Sequence, residues 1–243
     1  MKLLADLSWK EAGEYLERDD RVILPIGAVE EHGPHLGLGT DCIEAEAMAH
    51  RISEATGVVA APTLNYGLTL MTMGFPGNLS LSPKTLICVV EDILRSMHTH
   101  GFKRVLIVNG HGGNTAAIRC AAEALAIDLP DLSLKLVEWW KEAEVNQVIM
   151  DTMSVKGTHA SFSETALMLH IRPGAVKMDN LTGRDAPLSD SREMLTARTF
   201  PKLYPDGIMG LHPGTATAEA GEAVLNKAVE ICVGELNNWS TGD

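Results

Sequence analysis

The stretch Arg104-Val105-Leu106-Ile107-Val108-Asn109-Gly110-His111-Gly112-Gly113-Asn114 decides the fold. An apolar run rich in β-branched residues reads as a buried strand, a glycine-rich turn breaks it, and an alanine-rich segment of helical character follows. Strand, turn and helix in that order form the repeating unit of a parallel α/β sheet. Residues 22–26, 58–61 and 132–137 give the same strand signal between helical segments, as 104–108 does here. The clearest helix spans 82–100, with Ser82 as N-cap, Pro83 at the first helical position and Gly101 as the stop. Leu86, Val89, Val90, Ile93, Leu94 and Met97 form its inward stripe. Further helices are expected over 40–55 and 216–236. The fold class is therefore α/β with a mostly parallel central sheet.

The 243 residues, 45% hydrophobic and 21% charged, suit one globular domain spanning 1–243, with no repeat or linker to divide it. A net charge of −12 opposes nucleic acid and anionic lipid as partners and leaves a small-molecule substrate as the expected one. The first twenty residues carry too many charges for a signal-peptide core, and no apolar run approaches membrane-spanning length. A soluble, cytoplasmic protein is expected. Cys42, Cys88, Cys120 and Cys232 lack metal-site or disulfide spacing and read as reduced, mostly buried thiols. The Pro/Gly-rich stretch 180–214 is too long for an idle connector and is expected to line a pocket or a subunit contact.

Three clusters carry chemistry. After the first strand comes Gly27-Ala28-Val29-Glu30-Glu31-His32-Gly33-Pro34-His35. In an extended segment Glu30 and His32 face one way and Glu31 the other, and Asp41 at the start of the next helix can return to the same place. Carboxylate and imidazole together suit Zn²⁺, Mn²⁺ or Fe²⁺, although the cluster taken alone reads equally as surface charge. The second cluster is Asn109 to Asn114, at the carboxyl end of a strand, where open α/β sheets bind ligands. It lacks the spacing of a dinucleotide loop and the Gly-Lys-Ser/Thr of a P-loop, so His111 as a ligand competes with a plain glycine turn. The third is Thr158-His159-Ala160-Ser161-Phe162-Ser163-Glu164-Thr165. His159 is suited to moving protons near neutral pH. Glu164 reads either as a partner in the same cavity or as a first-turn acid favoured by the helix dipole.

In order along the chain these are P-x-G-x-x-E-x-H-G-P-H-L-x-L-x-T-D, F-P-G, N-G-H-G-G-N and H-A-x-x-x-E-T. Together they resemble the creatininase (creatinine amidohydrolase) family over Pro25 to Thr165. Asp206 to Gly210 and Ala218 to Gly221 are similar to its ending. The resemblance implies a three-layer α/β/α sandwich, two divalent ions per subunit at the carboxyl ends of the strands, and a homo-oligomer, often a hexamer. By position, Glu30 and His111 would hold one ion, His32 the other, and Asp41 would bridge both. Creatininase completes the second ion with a glutamate two residues after the N-G-H histidine, where this chain has Gly113. Glu164 is then the candidate for the missing carboxylate, as ligand or as an acid of the catalytic step, the alternative being a weak or single-ion site, and His159 matches the family's catalytic histidine.

Ala28, Glu31, Gly37 and Asn78 stand where Ser or Thr, Gln, Pro and Thr are common, and are expected to bear on substrate rather than on chemistry. Trp139 and Trp140 read either as an aromatic wall or as one core and one surface residue. The resemblance implies metal-assisted hydrolysis of a small cyclic amide or formamide, with His159 protonating the leaving nitrogen. The missing glutamate argues against creatinine. A second reading directs the same site to a cyclic polyhydroxy ketone of keto-inositol type, by hydrolysis or isomerisation. A purely structural metal is disfavoured, because a chain with this much core needs no staple.

Overall fold

The computed structural model describes residues 1–153, 158–181, 186, 194–211 and 213–239. Four strands, β1 (Arg21–Ile26), β2 (Val59–Ala60), β3 (Arg104–Asn109) and β4 (Ser133–Val137), form one sheet in the order β2-β1-β3-β4. All pairs are parallel, with Val22 opposite Val105 and Ile26 opposite Asn109. The α-helices among the described residues are α1 (Trp9–Leu16), α2 (Thr40–Thr56), α3 (Pro83–His100), α4 (Thr115–Asp128), α5 (Ala143–Met153), α6 (Phe162–Ile171), α7 (Phe200–Leu203) and α8 (Ala218–Asn237), joined by short 3-10 turns. The strands and long helices read from the sequence differ from these by one or two residues at their ends, the usual fraying distance.

Alternation along the strands explains the layers. Val22, Leu24, Ile26, Val105 and Ile107 face one side and pack with α1, α3 and α4 through Tyr15, Leu86, Val90, Leu94, Ile118 and Leu125. Ile23, Leu106, Val108 and Val137 face the other side and pack with α2, α5, α6 and α8 through Met48, Ile52, Ile149, Phe162, Leu167 and Val224. Each sheet face is thus sealed by helices, giving the three-layer α/β/α sandwich. Helix α3 begins as its sequence dictates: Ser82 Oγ accepts the Thr85 N–H, Pro83 follows, and Gly101 ends it in the left-handed region.

From β1 the chain crosses to β2 on one side and later to β3 on the other, so the sheet has its switch point between β1 and β3. Ile26 and Asn109 are paired there, and the loops carrying Glu30, His32 and His111 leave side by side. The first turn of α2 closes on the same edge. Gly110 makes this approach possible, because a Cβ on it would collide with the Asp41 carbonyl.

The cysteines depart from expectation. All four are free, but only Cys232 is buried, while Cys88 and Cys120 lie exposed on α3 and α4. Their helical phase turns them outward, a matter of register that composition does not carry. Residues 182–185, 187–193 and 212 of the Pro/Gly-rich stretch lie outside the described residues. Among the described residues no helix is long and apolar enough to cross a membrane.

Candidate metal centre

Asp41 lies at the centre of the cluster. Its Oδ1 is 3.0 Å from His32 Nε2 and its Oδ2 is 3.0 Å from His111 Nδ1. Each imidazole is held from behind. His32 Nδ1 faces the Glu30 carbonyl at 3.2 Å, and His111 Nε2 faces the Leu68 carbonyl at 3.0 Å. A carbonyl only accepts, so those outer nitrogens carry protons, and it is the inner nitrogens that would offer lone pairs to a bound ion, the usual outer-shell arrangement of a ligating histidine. Glu30 Oε2 lies 3.2 Å from His111 Nδ1, while its Oε1 accepts from the Thr72 hydroxyl at 2.6 Å.

Glu164 enters from the first turn of α6, with Oε2 3.7 Å from His32 Nε2. The same oxygen accepts the Ala160 N–H at 2.5 Å, so the local backbone role and the place in the cluster coexist. Ala160 is left-handed, with φ 54°. That conformation disfavours an L-residue by about 1 kcal/mol, and here it turns His159 and Glu164 into one cavity. Three groups bring their donor atoms within 4.8 Å of one another: Glu30, Asp41 and His111; His32, Asp41 and Glu164; and Glu30, His32 and His159. All six sequence candidates meet in one place.

The electrostatics is that of a cation site. Burial opposes ionisation of Glu30, yet the imidazoles of His111 and His159 prevail and hold it at about 2. Asp41 is likewise held below the usual carboxylate range by His32 and His111 despite its burial. Burial works against charge on His32 and His111, but the surrounding carboxylates push both well above 6.5. Without a cation the cluster gathers protons on its imidazoles. Burial, with Asp41 nearby, raises Glu164. Two buried atoms at the centre, His32 Nε2 and Asp41 Oδ2, have no properly oriented hydrogen-bond partner. A buried imidazole nitrogen and carboxylate oxygen left in this way, among N and O donors, fit a divalent transition ion.

A cavity of about 310 Å³ opens onto Glu30, Asp41, His111, His159 and Glu164. Met71, Trp139, Trp140 and Met209 supply much of its wall. The tryptophans meet both readings, since Trp139 belongs to the core and Trp140 is half-buried, their rings stand edge to face at 5.8 Å, and both line the cavity. Met209 brings the described end of the Pro/Gly-rich stretch to the cavity, as expected of that stretch.

Sequence reasoning missed the supports. Asn78 Oδ1 accepts the Glu31 N–H at 2.8 Å and faces the Thr72 hydroxyl at 3.1 Å, tying a remote loop to both acids. Glu31 turns from the cavity, as alternation requires, but its Oε1 meets His159 Nε2 at 3.1 Å. Neither Glu31 nor Asn78 lines the cavity, so their expected bearing on substrate gives way to holding His159 and Glu30. His35 is buried, donates Nε2–H to the Thr165 hydroxyl at 2.8 Å and is lowered to about 4 by burial and by His32, which leaves it neutral. Glu44, one turn after Asp41, is buried with both oxygens unpartnered. Burial and the nearby Glu164 and Asp41 charges raise it well above the ordinary range. The only sequence signal for Glu44 was its i+3 spacing from Asp41.

Carboxylates and imidazoles gathered at the switch point of a parallel sheet, beside a small cavity, are the make-up of a metal-dependent hydrolase. The chain matches the creatininase family profile, creatinine amidohydrolase, over residues 5–236, and it belongs to the creatininase family. It is thus a hydrolase of a metal-dependent amidohydrolase family. It is 32% identical over 225 residues to the mycofactocin precursor peptide peptidase of Mycolicibacterium smegmatis, covering 90% of this chain and 85% of that one. With the creatinine amidohydrolase of Pseudomonas putida it shares 28% over 256 residues, covering 95% and 92%. A solved structure of creatininase with manganese superposes with a TM-score of 0.85 at 26% identity, covering 97% of each chain.

Proposed function

We propose that this protein hydrolyses the C–N bond of a small cyclic amide or formamide, with Glu30, Asp41 and His111 holding one divalent ion and His32, Asp41 and Glu164 a second. The observation that carries the reading is the Asp41 carboxylate, whose two oxygens each face a different histidine at 3.0 Å. One carboxylate between two outward-anchored imidazoles is suited to bridging two ions. Zn²⁺, Mn²⁺ and Fe²⁺ all suit this donor set, and divalent ions bound here would polarise a carbonyl and lower the pKa of water towards ~7.

The chain's own groups do the rest. Trp140, Met71 and Met209 bind the apolar part of the substrate, and the cavity of about 310 Å³ limits its size. His159, on the cavity wall with Nδ1 3.7 Å from Glu30 Oε2, takes a proton from the attacking water and hands it to the leaving nitrogen. Gly113 in place of a glutamate makes the second carboxylate come from α6, which argues against creatinine itself as the substrate.

The test is a panel of cyclic amides, formamides and cyclic polyhydroxy ketones offered to protein reconstituted with each ion. Release of amine, ammonia or formate supports the reading. A keto acid or ketose as the only product overturns it in favour of the carbocyclic substrate.

A further inference from the structure

Glu30 divides its two carboxylate oxygens between the cluster and a remote loop. Oε2 faces the cluster, 3.2 Å from His111 Nδ1 and 3.7 Å from His159 Nδ1. Oε1 is engaged elsewhere, accepting the Thr72 hydroxyl at 2.6 Å. Both residues are buried, and Thr72 does not line the cavity although its neighbour Met71 does. Asp41 differs: its Oδ2 has no properly oriented hydrogen-bond partner.

A threonine hydroxyl has one hydrogen, and three acceptors stand around this one. The Thr69 carbonyl and Asn78 Oδ1 are each 3.1 Å away, against 2.6 Å for Glu30 Oε1. Both rivals already have a donor, since the carbonyl accepts the Thr72 N–H at 3.2 Å and Asn78 Oδ1 the Glu31 N–H at 2.8 Å. The short bond to the carboxylate therefore takes the hydrogen. The Thr72 backbone is fixed as well, because its carbonyl accepts the Phe75 N–H at 2.9 Å and the Asn78 amide group at 3.0 Å. A donor pinned in this way selects one orientation of the Glu30 carboxylate.

We propose that Thr72 is a positioning residue: by holding Oε1 it restricts Glu30 to ligation through Oε2 alone, and so keeps open the position that a second oxygen would take. The inference rests on the metal centre proposed above, with Glu30, Asp41 and His111 on one ion. A carboxylate with both oxygens free can bind an ion through either one or both. Three protein donors leave a place for water or substrate on a four-coordinate ion, as catalytic zinc sites do, and a Glu30 bound through both oxygens fills it. Swinging Oε1 inward means giving up the Thr72 hydrogen bond. The contrast with Asp41 fits the same division, since a carboxylate that bridges needs both oxygens free of other donors.

The experiment loads the unsubstituted protein, Thr72→Val and Thr72→Ser with Zn²⁺ or Co²⁺. A crystal structure of the unsubstituted Zn²⁺ form is expected to show a single Glu30 oxygen at ~2.0–2.2 Å from the ion, the other still on Thr72. Thr72→Val removes the donor at nearly constant shape, and is expected to weaken one Zn²⁺ by ~10- to 100-fold in equilibrium dialysis. Its Co²⁺ absorption should also lose intensity, because visible bands weaken as coordination number rises. Thr72→Ser keeps the hydroxyl and is expected to restore both readings. Two Glu30 oxygens on the ion in the unsubstituted protein overturn the proposal, and that measurement needs no variant to fold. So does Thr72→Val with affinity and spectrum unchanged, even at a lower melting temperature, and so does Thr72→Ser behaving like Thr72→Val. Failure of the unsubstituted protein to retain either ion overturns the metal centre itself, an outcome distinct from the others because it appears before any substitution.

Discussion

Gly113 lies directly beneath Leu68: a Cβ on residue 113 would collide with the Leu68 carbonyl oxygen and with Nε2 of His111, which donates to that carbonyl at 3.0 Å. The space that a glutamate side chain would leave by is already taken by the hydrogen bond that orients His111. Introducing one cannot restore a two-ion site of the creatininase pattern. Gly113→Glu is expected to turn His111 away, reduce bound metal by elemental analysis to less than half and destabilise the protein by ~1–3 kcal/mol through overpacking. A variant with full metal content and an unshifted melting temperature contradicts this.

Asp41→Ala should be the most damaging ligand change, because it removes the group shared by the two triads proposed to hold the ions, Glu30/Asp41/His111 and His32/Asp41/Glu164. Both ions are expected to be lost together, with activity at background. Glu164→Gln should remove one ion and leave the other, while the Gln oxygen still accepts from the Ala160 N–H and the fold persists. Metal-to-protein ratios measured on both variants separate these outcomes. Full occupancy in Glu164→Gln would reduce that residue to its backbone bond.

His159→Asn tests proton transfer at the cavity wall. With Glu30, His32, Asp41, His111 and Glu164 all intact, metal content is expected to hold while kcat falls by ~10²- to 10⁴-fold. Loss of metal in parallel with activity would make His159 a ligand in the triad with Glu30 and His32.

The cluster also sets a pH dependence. In chelator-treated protein, His32 and His111 have folded pKa values well above 6.5, so their contribution is complete below about that pH and lost as pH rises through the raised values. Glu30, held at about 2, and Asp41, also lowered, contribute above ~4, and that contribution is lost as pH falls through their folded values. Metal binding displaces protons from both imidazoles, so stabilisation by metal grows with pH. The melting temperature of metal-free protein is therefore expected to fall as pH rises above 6.5 while the gap to the metal-loaded form widens. A constant gap contradicts the assignment of the raised groups as ligands.

By itself the amino-acid sequence determined what local pattern controls. The apolar runs at 22–26 and 104–108 could only be buried strands, Ser82-Pro83 and Gly101 bounded α3, and the alternating loop placed Glu30 and His32 on one side. The ordered motifs named the family and brought forward all six residues that meet in the cluster. Tertiary structure decided the rest, because those contacts join positions far apart in the chain. Whether Glu164 is only a first-turn acid or also faces His32 depended on how α6 packs against the first loop, and the packing allows both. Thr72 and Asn78 hold Glu30 and Glu31 from a loop more than forty residues away. Alternation gave Glu31's direction, but only the fold put His159 there to meet it. A period in sequence fixes which way a side chain leaves its own backbone. What it meets is fixed by the packing of other segments, which no local pattern contains.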